Sequence, residues 1–486
     1  VDSRGLVRTA AWLAPAAGGL SILLTITIGA LGPSAMVPAL PGRPWQPPYS
    51  LGLAPGGHLV VALAAAALVL GAIGLTAALA CPARMPPTRT LVVAGCAAAA
   101  VLAFLPPSGS ADHLNYAAYG RMAVLGHDPY VTVPADLPAD PVVGRVEEWT
   151  RTPSVYGPVA TALQALASLA GGESVRLTVF VMALVNAAAF IATGLLLHRA
   201  AAGDPVRQRR AALLWTANPL LVYELVAGMH LDTVAIAFVV AGLAARRGVP
   251  LGLGVAVKAT VGVVALGTAW ELRRNPRRLV LVAGLATLTV LVAYLLAGPH
   301  ALDQLLNASK SVSLATPWKL AQRALQALFG PGAYRAWIQA GSVLLLAALA
   351  VLLLRGRPAA DREGPVVALA VAVAWLFATP YALPWYDGLG FALLAMVAWP
   401  GLEVFLVARL TVLSLAYLPA RQADQPRDLG WLVDVVRAWV APSLLLALTI
   451  ALLWWAARSA ARGRTRPAPA ARRPSGPSPE SRSPSR

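Results

Sequence analysis

The chain is a succession of long apolar runs joined by short basic connections. Runs near 20 residues recur along most of it, the length that crosses about 30 Å of hydrocarbon as a helix. They fall at residues 11–31, 58–80, 91–105, 175–198, 211–227, 232–245, 279–297, 337–354, 365–379, 389–399, 402–418 and 435–457. Residues 155–170 are apolar but short, as a re-entrant or surface helix would be. Residues 249–270 contain Lys258 and several glycines. A single crossing there would put the basic run 271–278 outside, so a broken hairpin returning to the cytoplasm is predicted. The pattern predicts an all-α polytopic membrane protein with about 12–14 crossings. A soluble helical protein is excluded, because most of these runs lack the polar face that water requires.

Two polar stretches interrupt the pattern, residues 106–158 and 299–335. The first holds Asp112, Asp128, Asp136, Asp140, Glu147 and Glu148, two histidines, several tyrosines and Trp149. Loops longer than about a dozen residues inside a compact architecture tend to be functional. Residues 1–457 are expected to form the membrane domain. Residues 458–486, rich in Pro, Ser, Arg and Ala, cannot bury a core and are expected to be a disordered basic cytoplasmic tail. No internal repeat is visible, which weighs against an inverted-repeat transporter. The first apolar run has no clear small-residue cleavage site after it, so it is expected to be a retained span.

Composition sharpens this picture. Hydrophobic residues make up 58% of the chain and charged residues 12%, against about 25% charged in soluble domains. The two cysteines, Cys81 and Cys96, fit neither a disulfide framework nor a metal spacing. With both termini cytoplasmic, about two-thirds of the 39 Lys and Arg residues fall on the inner side. The net charge of +18 is thus mainly a topology signal, and it puts the acidic insert outside. The basic residues are scattered over inner loops, so no nucleic-acid partner is expected.

The segment from Ser108 to Gly126 reads as a helix start followed by a helix, with Asp112 or Ser110 at the cap. On that helix Asp112, Asn115, Tyr116 and Tyr119 share a face, at i, i+3, i+4 and i+7. Asp112 has two readings there: an N-cap for backbone N–H groups, or a general base at the water–bilayer boundary.

The string D-H-L-N-Y-A-A-Y-G-R from Asp112, with G-H-D-P-Y at 126–130 and S-V-Y-G-P at 154–158, resembles the first outer loop of a known family. That family is the actinobacterial polyprenol-phosphate-mannose-dependent α-(1→6)-mannosyltransferases, of the GT-C group of integral membrane glycosyltransferases. Further likenesses are N-P-L at 218–220, G-M-H-L-D at 228–232, the Lys258 segment and P-W-Y at 384–386. The order of these short motifs is more specific than any one of them.

The resemblance implies a GT-C-like transmembrane bundle with a large catalytic first outer loop. It implies a polyprenyl-phosphate-mannose donor among the membrane lipids and a mannan or glycolipid acceptor of the cell envelope. Asp112 matches the family's catalytic aspartate. One displacement with inversion needs no second carboxylate of a retaining pair. His113, Tyr116 and Tyr156 fall inside the matching strings and are taken as substrate-binding. Asp128 is a second acidic candidate, although Asp before Pro is also good turn chemistry. His230 and Asp232 are candidates for acceptor or phosphate contacts, since ionisable groups at such depth usually line a cavity. The family usually has Asn between this pair, where this chain has Leu231. Lys258 either snorkels to an interface or pairs with the lipid phosphate. Arg121 serves the phosphate or a solvated surface. Trp385 and Tyr386 form part of an interfacial belt or a platform for the sugar. No D-x-D string stands in the first loop, and metal-independent catalysis is expected. Asp112, His113 and His230 are the ligands on hand should a divalent ion bind.

The function expected is therefore transfer of mannose, outside the cytoplasm, onto a growing mannan. The rivals are a GT-C transferase of another lipid-linked sugar, such as arabinose, and a lipid or solute transporter. A transporter would spread polar residues along a transmembrane path, whereas here they cluster at one face.

Overall fold

The computed structural model describes residues 3–303, 311–360, 362–421 and 423–464, and among these every regular element is helical. Helices α1 (Ser3–Leu31), α2 (Gly57–Ala80) and α3 (Thr88–Ala103) precede the polar insert. The insert opens with α4 (Asp112–Val124) and leads into α5 (Pro158–Gly171). Then come α6 (Val175–Ala200), α7 (Pro205–Leu214), α8 (Asp232–Ala245), α9 (Gly248–Val257), α10 (Ala265–Leu272) and α11 (Pro276–Ala297). The remainder is α12 (Pro317–Phe329), α13 (Arg335–Arg355), α14 (Glu363–Ala378), α15 (Asp387–Met396), α16 (Leu402–Tyr417) and α17 (Ala441–Arg464).

Among the described residues, six helical segments are long and apolar enough to cross a membrane: Leu13–Leu31, Gly57–Ala80, Val175–Ala200, Pro276–Ala297, Arg335–Arg355 and Arg427–Arg462. Six shorter apolar helices accompany them. The chain is a polytopic all-α membrane protein. Small residues let its helices approach: a Cβ added at Gly74 would stand 2.5 Å from the Gly18 backbone nitrogen, so α1 and α2 touch main chain to main chain.

Two expectations change. Residues 211–227 are not one crossing. Helix α7 stops at Leu214, and the side chain of Asn218 then accepts from the backbone N–H groups of Leu220 and Leu221. Asn before Pro219 disfavours helical backbone at that point, and the proline then suits the first turn of a new helix. A π-helical stretch, Val222–Ala227, follows and delivers the turn that carries His230. The basic tail also begins later than the composition suggests. Helix α17 continues to Arg464, and the Arg458 guanidinium lies 3.5 Å from the centroid of the Trp454 ring one turn earlier. The rest of the expected tail, 465–486, lies outside the described residues.

Helix α14 gives the bundle two chemically different ends. At its start, Arg246 and Arg362 both bind the Glu271 carboxylate, at 2.7 and 3.0 Å. At its other end the chain turns through Pro384–Tyr386 into α15. Between α15 and α16, Arg409 pairs with Asp387, and both are buried. Arg409 also donates to the Leu376 carbonyl at 2.7 Å, so its charge is held by two acceptors.

Removing one member of a buried pair leaves the other charge without its partner. Asp387→Ala is expected to cost about 3–5 kcal/mol, read as a lower Tm in detergent. Asp387→Leu combined with Arg409→Met should recover most of that loss. A single variant as stable as the parent would show that the pair does not hold α15 to α16.

Candidate active site

Helix α4 enters from a tightly held strand of chain. The Ser108 N–H donates to Ala227 O and the Gly109 N–H to Met36 O, at 2.8 and 2.9 Å. Gly109 has φ +83°, a left-handed backbone that favours glycine. Ser110 Oγ accepts the Asp112 N–H at 3.1 Å. The helix begins at Asp112 itself, and Asp112 makes no side-chain cap. Ser110 thus takes the first helical N–H, while Ala111 stands at the N-cap position without a side-chain cap.

The helix face predicted from the sequence is the one the loop folds onto. Asn115 Nδ2 donates to Glu148 O at 3.0 Å, and Tyr119 OH to Thr152 O at 2.8 Å. Tyr116 OH meets Tyr156 OH at 2.8 Å. The second half of the insert is thereby laid over α4. It is anchored at Gly157, whose N–H donates to Val257 O at 2.9 Å. A Cβ on Gly157 would stand 2.2 Å from Ala256 O, so only glycine lets the loop sit on the break after α9.

The structure gathers eight of the predicted residues at this place. His230 Nδ1 lies 3.7 Å from Asp112 Oδ2 and 3.4 Å from Tyr116 OH. The His230 ring stacks on Trp385, with centroids 3.5 Å apart and planes 13° from parallel. Lys258, at the break between α9 and the short 3₁₀ turn Ala259–Val264, has extended backbone (φ −150°, ψ 112°). Its Nζ bonds Asp232 Oδ1 at 2.6 Å. The same ammonium lies 4.0 Å from the Tyr386 ring centroid and 5.3 Å from that of Tyr156. Lys258 therefore does not snorkel outward, and Trp385, 1% exposed, is no part of an interfacial belt.

These surroundings set the acidity of Asp112. Burial, followed by the negative charge of Glu148, pushes its carboxyl up to about 7. Asp232 pushes the same way, while Lys258 and the Tyr116 hydroxyl pull it back. A carboxyl poised there can take a proton near neutral pH. Burial, and then the charge of Arg421, lowers His113 to about 3, so its imidazole is neutral. His113 is fully buried, and among the described residues neither ring nitrogen has a hydrogen-bond partner. Asp232 Oδ2 and Trp385 Nε1 likewise have no partner among the described residues.

Two predicted residues serve elsewhere. Arg121 Nε donates to Asp140 Oδ2 at 2.9 Å and Nη1 to Gly172 O at 3.4 Å. Asp128 Oδ1 accepts the Tyr130 N–H, and Oδ2 meets His300 Nδ1 at 2.9 Å. Both brace the insert: Arg121 against the end of α5, Asp128 against the second polar stretch. Leu231, in the place of the family's usual Asn, is buried in the apolar core and brings no polar atom to the site. Among the described residues, no three His, Cys, Asp or Glu side chains converge as a metal would need.

Sequence reasoning missed the groups that close the site from the C-terminal side. Buried Arg421 donates through Nε and Nη2 to Glu147 and through Nη1 to Ser34 O. It thus clamps the insert, beside Glu148, to the loop after α1. Tyr417 meets Trp385 edge-on at 5.3 Å, and Arg437 donates to the Ala416 and Tyr417 carbonyls beneath it. No motif marked Arg421.

Comparison with known proteins bears on these residues directly. The family described as Alpha-(1→6)-mannopyranosyltransferase, N-terminal domain, matches residues 16–274. That span contains Asp112, Tyr116, Tyr156, His230, Asp232 and Lys258 and stops short of Trp385, Tyr386 and Arg421. The chain is 28% identical over 140 residues to alpha-(1→6)-mannopyranosyltransferase B of Corynebacterium glutamicum, covering 28% of this chain and 23% of that one. It is 26% identical over 176 residues to alpha-(1→6)-mannopyranosyltransferase A of the same organism, covering 35% and 36%. It is 34% identical over 147 residues to a probable alpha-(1→6)-mannopyranosyltransferase of Mycolicibacterium smegmatis, covering 29% and 26%. The chain thus spans between about a quarter and a third of the length of these relatives. No solved structure matches it.

If Arg421 is the clamp on the insert, Arg421→Met should loosen residues 145–151 without unfolding the bundle. Trypsin should then cut after Arg145 and Arg151 several times faster than in the parent, at an unchanged rate elsewhere. Equal cutting rates would mean that other contacts hold the loop.

Proposed function

The chain belongs to the alpha-(1→6)-mannopyranosyltransferase family, and from that premise we propose that it transfers mannose from polyprenyl-phosphate-mannose to a mannan or glycolipid acceptor of the cell envelope. The new linkage is α-(1→6), formed with inversion on the outer face of the membrane. Residues 106–158 are the catalytic outer loop, residues 299–335 a second outer loop, and both termini are cytoplasmic. The excess of Arg on the opposite loops supports this orientation.

The observation that carries the reading is the pairing of a proton acceptor with a fixed cation at one end of the bundle. Asp112, with its proton affinity near neutrality, lies against His230 and Tyr116. Lys258, held by Asp232, is close enough to contribute to the charge balance of Asp112. In the proposed step the acceptor's 6-hydroxyl oxygen forms a bond to the anomeric carbon of the donor. The bond from that carbon to the phosphate oxygen breaks, and its electron pair leaves on polyprenyl phosphate. Asp112 takes the hydroxyl proton.

A phosphate leaves readily, so no strong general acid is needed. Lys258 stabilises the charge that grows on it. Lys258 cannot leave Asp232 at no cost, so the phosphate is met by the ion pair together, with the Tyr156 and Tyr386 hydroxyls as nearby donors. His230, stacked on Trp385, holds Asp112 and Tyr116 in register. Trp385 is too deeply buried to stack on a sugar and acts as the wall behind His230.

Asp112→Asn keeps size and removes the base; turnover of a short mannoside acceptor should fall ~10²–10⁴-fold with donor binding retained. Asp128→Asn should stay within a few-fold of the parent. A near-parental rate for Asp112→Asn, measured at matched protein levels by mass analysis of the product, would overturn the assignment.

Turnover should rise with pH through about 7, as Asp112 loses its proton, and then level. The charged or titratable groups around Asp112 are Glu148, Asp232, Lys258, His230, Tyr116 and the more distant Tyr381, Tyr386 and Tyr417. Glu148 is the largest charge effect, and as a like charge it raises the midpoint. Glu148→Gln should therefore move the rise to lower pH, and an unmoved midpoint would separate Glu148 from the titration.

A further inference from the structure

Helix α12 is strongly amphipathic, and its large apolar side chains are exposed where a surface helix in water would bury them. Its polar side chains find partners in the protein, Gln326 while remaining exposed. Gln322 Nε2 donates to Ala333 O at 3.0 Å and Gln326 Nε2 to Gly332 O at 2.8 Å. Arg323 donates to Ala438 O at 2.6 Å and lies 3.9 Å from the Trp439 ring centroid. Lys319 donates to Gln322. The outward face is apolar: Leu328 is 74% and Phe329 72% exposed, beside exposed Ala324 and Ala327. No residue of this helix is buried.

A helix with its polar groups satisfied internally and its large apolar groups outside is built for an apolar surrounding. The surface that continues it identifies that surrounding. After five intervening residues α13 begins, a helix of membrane-crossing length whose outward residues Trp337, Val343 and Leu344 are all strongly exposed. The two helices are in contact: a Cβ on Gly341 would meet the Trp318 ring at 2.8 Å. The apolar face of α12 is thus continuous with the face that α13 presents to acyl chains. Trp318, Trp337 and Trp439, with Lys319 and Arg323, supply the residue types that settle at the headgroup level.

The position of α12 ties this surface to the site. Trp318 Nε1 donates to Ala378 O at 2.7 Å, and Thr316 Oγ1 to Pro380 O at 3.0 Å. Ser313 Oγ donates to Ala382 O at 3.1 Å. Residues 378–382 are the connection that delivers Trp385 and Tyr386. We propose that α12 lies in the plane of the bilayer interface at the end of the bundle that holds Asp112, its Leu328–Phe329 face immersed in lipid. Lipid packing on α12 is then transmitted through Trp318 and Thr316 to the aromatic wall of the site. This placement holds whatever sugar or acceptor the site takes.

The test uses the parent protein in liposomes of phosphatidylcholine and phosphatidylglycerol at 3:1, doped with a lipid carrying a photoactivatable diazirine in its acyl chain. After irradiation, peptides are mapped for carbene insertion, with α13 as the internal positive control. Insertion at Leu328 or Phe329 is the expected result. Labelling of α13 with none on α12 would overturn the proposal. A second measurement distinguishes why. Nitroxides at Leu328→Cys and Gln322→Cys, in a Cys81→Ala/Cys96→Ala background, are probed by collision with oxygen and with a water-soluble nickel chelate. Position 328 should favour oxygen several-fold, and position 322 should be shielded from both. Nickel access at 328 would place the face in water, and access to neither would place it against a protein partner or a second copy. Each of those outcomes also overturns the proposal.

Discussion

The ion pair between Lys258 and Asp232, 2.6 Å apart, is the constraint on which the site depends. An ammonium in an apolar bundle is costly unless a carboxylate accompanies it. The pair exists because the hairpin of α9 breaks at Lys258 and because α8 begins at Asp232. Neither residue could reach the other if either helix ran straight through. The break also frees Val257 O, which receives the Gly157 N–H and pulls the end of the polar insert onto the same place. Tyr156 arrives beside the ammonium as a consequence, and Tyr116 beside Tyr156. The charge pair thus organises chain from both sides of the insert.

The site is composite along the sequence. The part matched by the family contributes Asp112, the charge pair and the tyrosines. The part beyond it contributes the walls: Trp385 against His230, Tyr386 under Lys258, Tyr417 against Trp385. The second part is held by buried arginines, Arg409 to Asp387 and Arg421 to Glu147, each with a backbone carbonyl as further acceptor. A guanidinium offers several donors in a fixed plane, so one side chain can join three strands of chain where lysine could join fewer.

Much of this was legible in the sequence. Membrane-length runs and the polar insert follow from residue type alone, and the bounds of α2, α6 and α8 fall within two residues of the apolar runs. The face of α4 was predicted by spacing, and its four members do point at the loop or the site. Two kinds of feature were not legible. Helix breaks inside apolar runs, at Asn218 and in the π-helical stretch before His230, leave hydropathy unchanged. Long-range partners such as Arg421 and Glu147, 274 positions apart, carry no local signal at all. Asp128 and Arg121 show the converse. Their motif looked chemical, yet each is engaged by neighbours that fix the shape of the insert.

A carboxyl set where a polar loop rests against an apolar bundle is pulled two ways. Full exposure would leave Asp112 an ordinary carboxylate with weak affinity for a proton, and full burial without partners would keep it protonated. The structure balances them with charges of both signs around one carboxyl. Glu148 and Asp232 favour the proton, while Lys258 and Tyr116 oppose it. Glu148 belongs to the loop and Lys258 to the bundle, so the balance depends on how closely the loop is seated. The seating is fixed by Arg421 at one edge and Gly157 at the other. The proton affinity of Asp112 is therefore a property of loop closure. Anything that orders the loop further would shift that affinity.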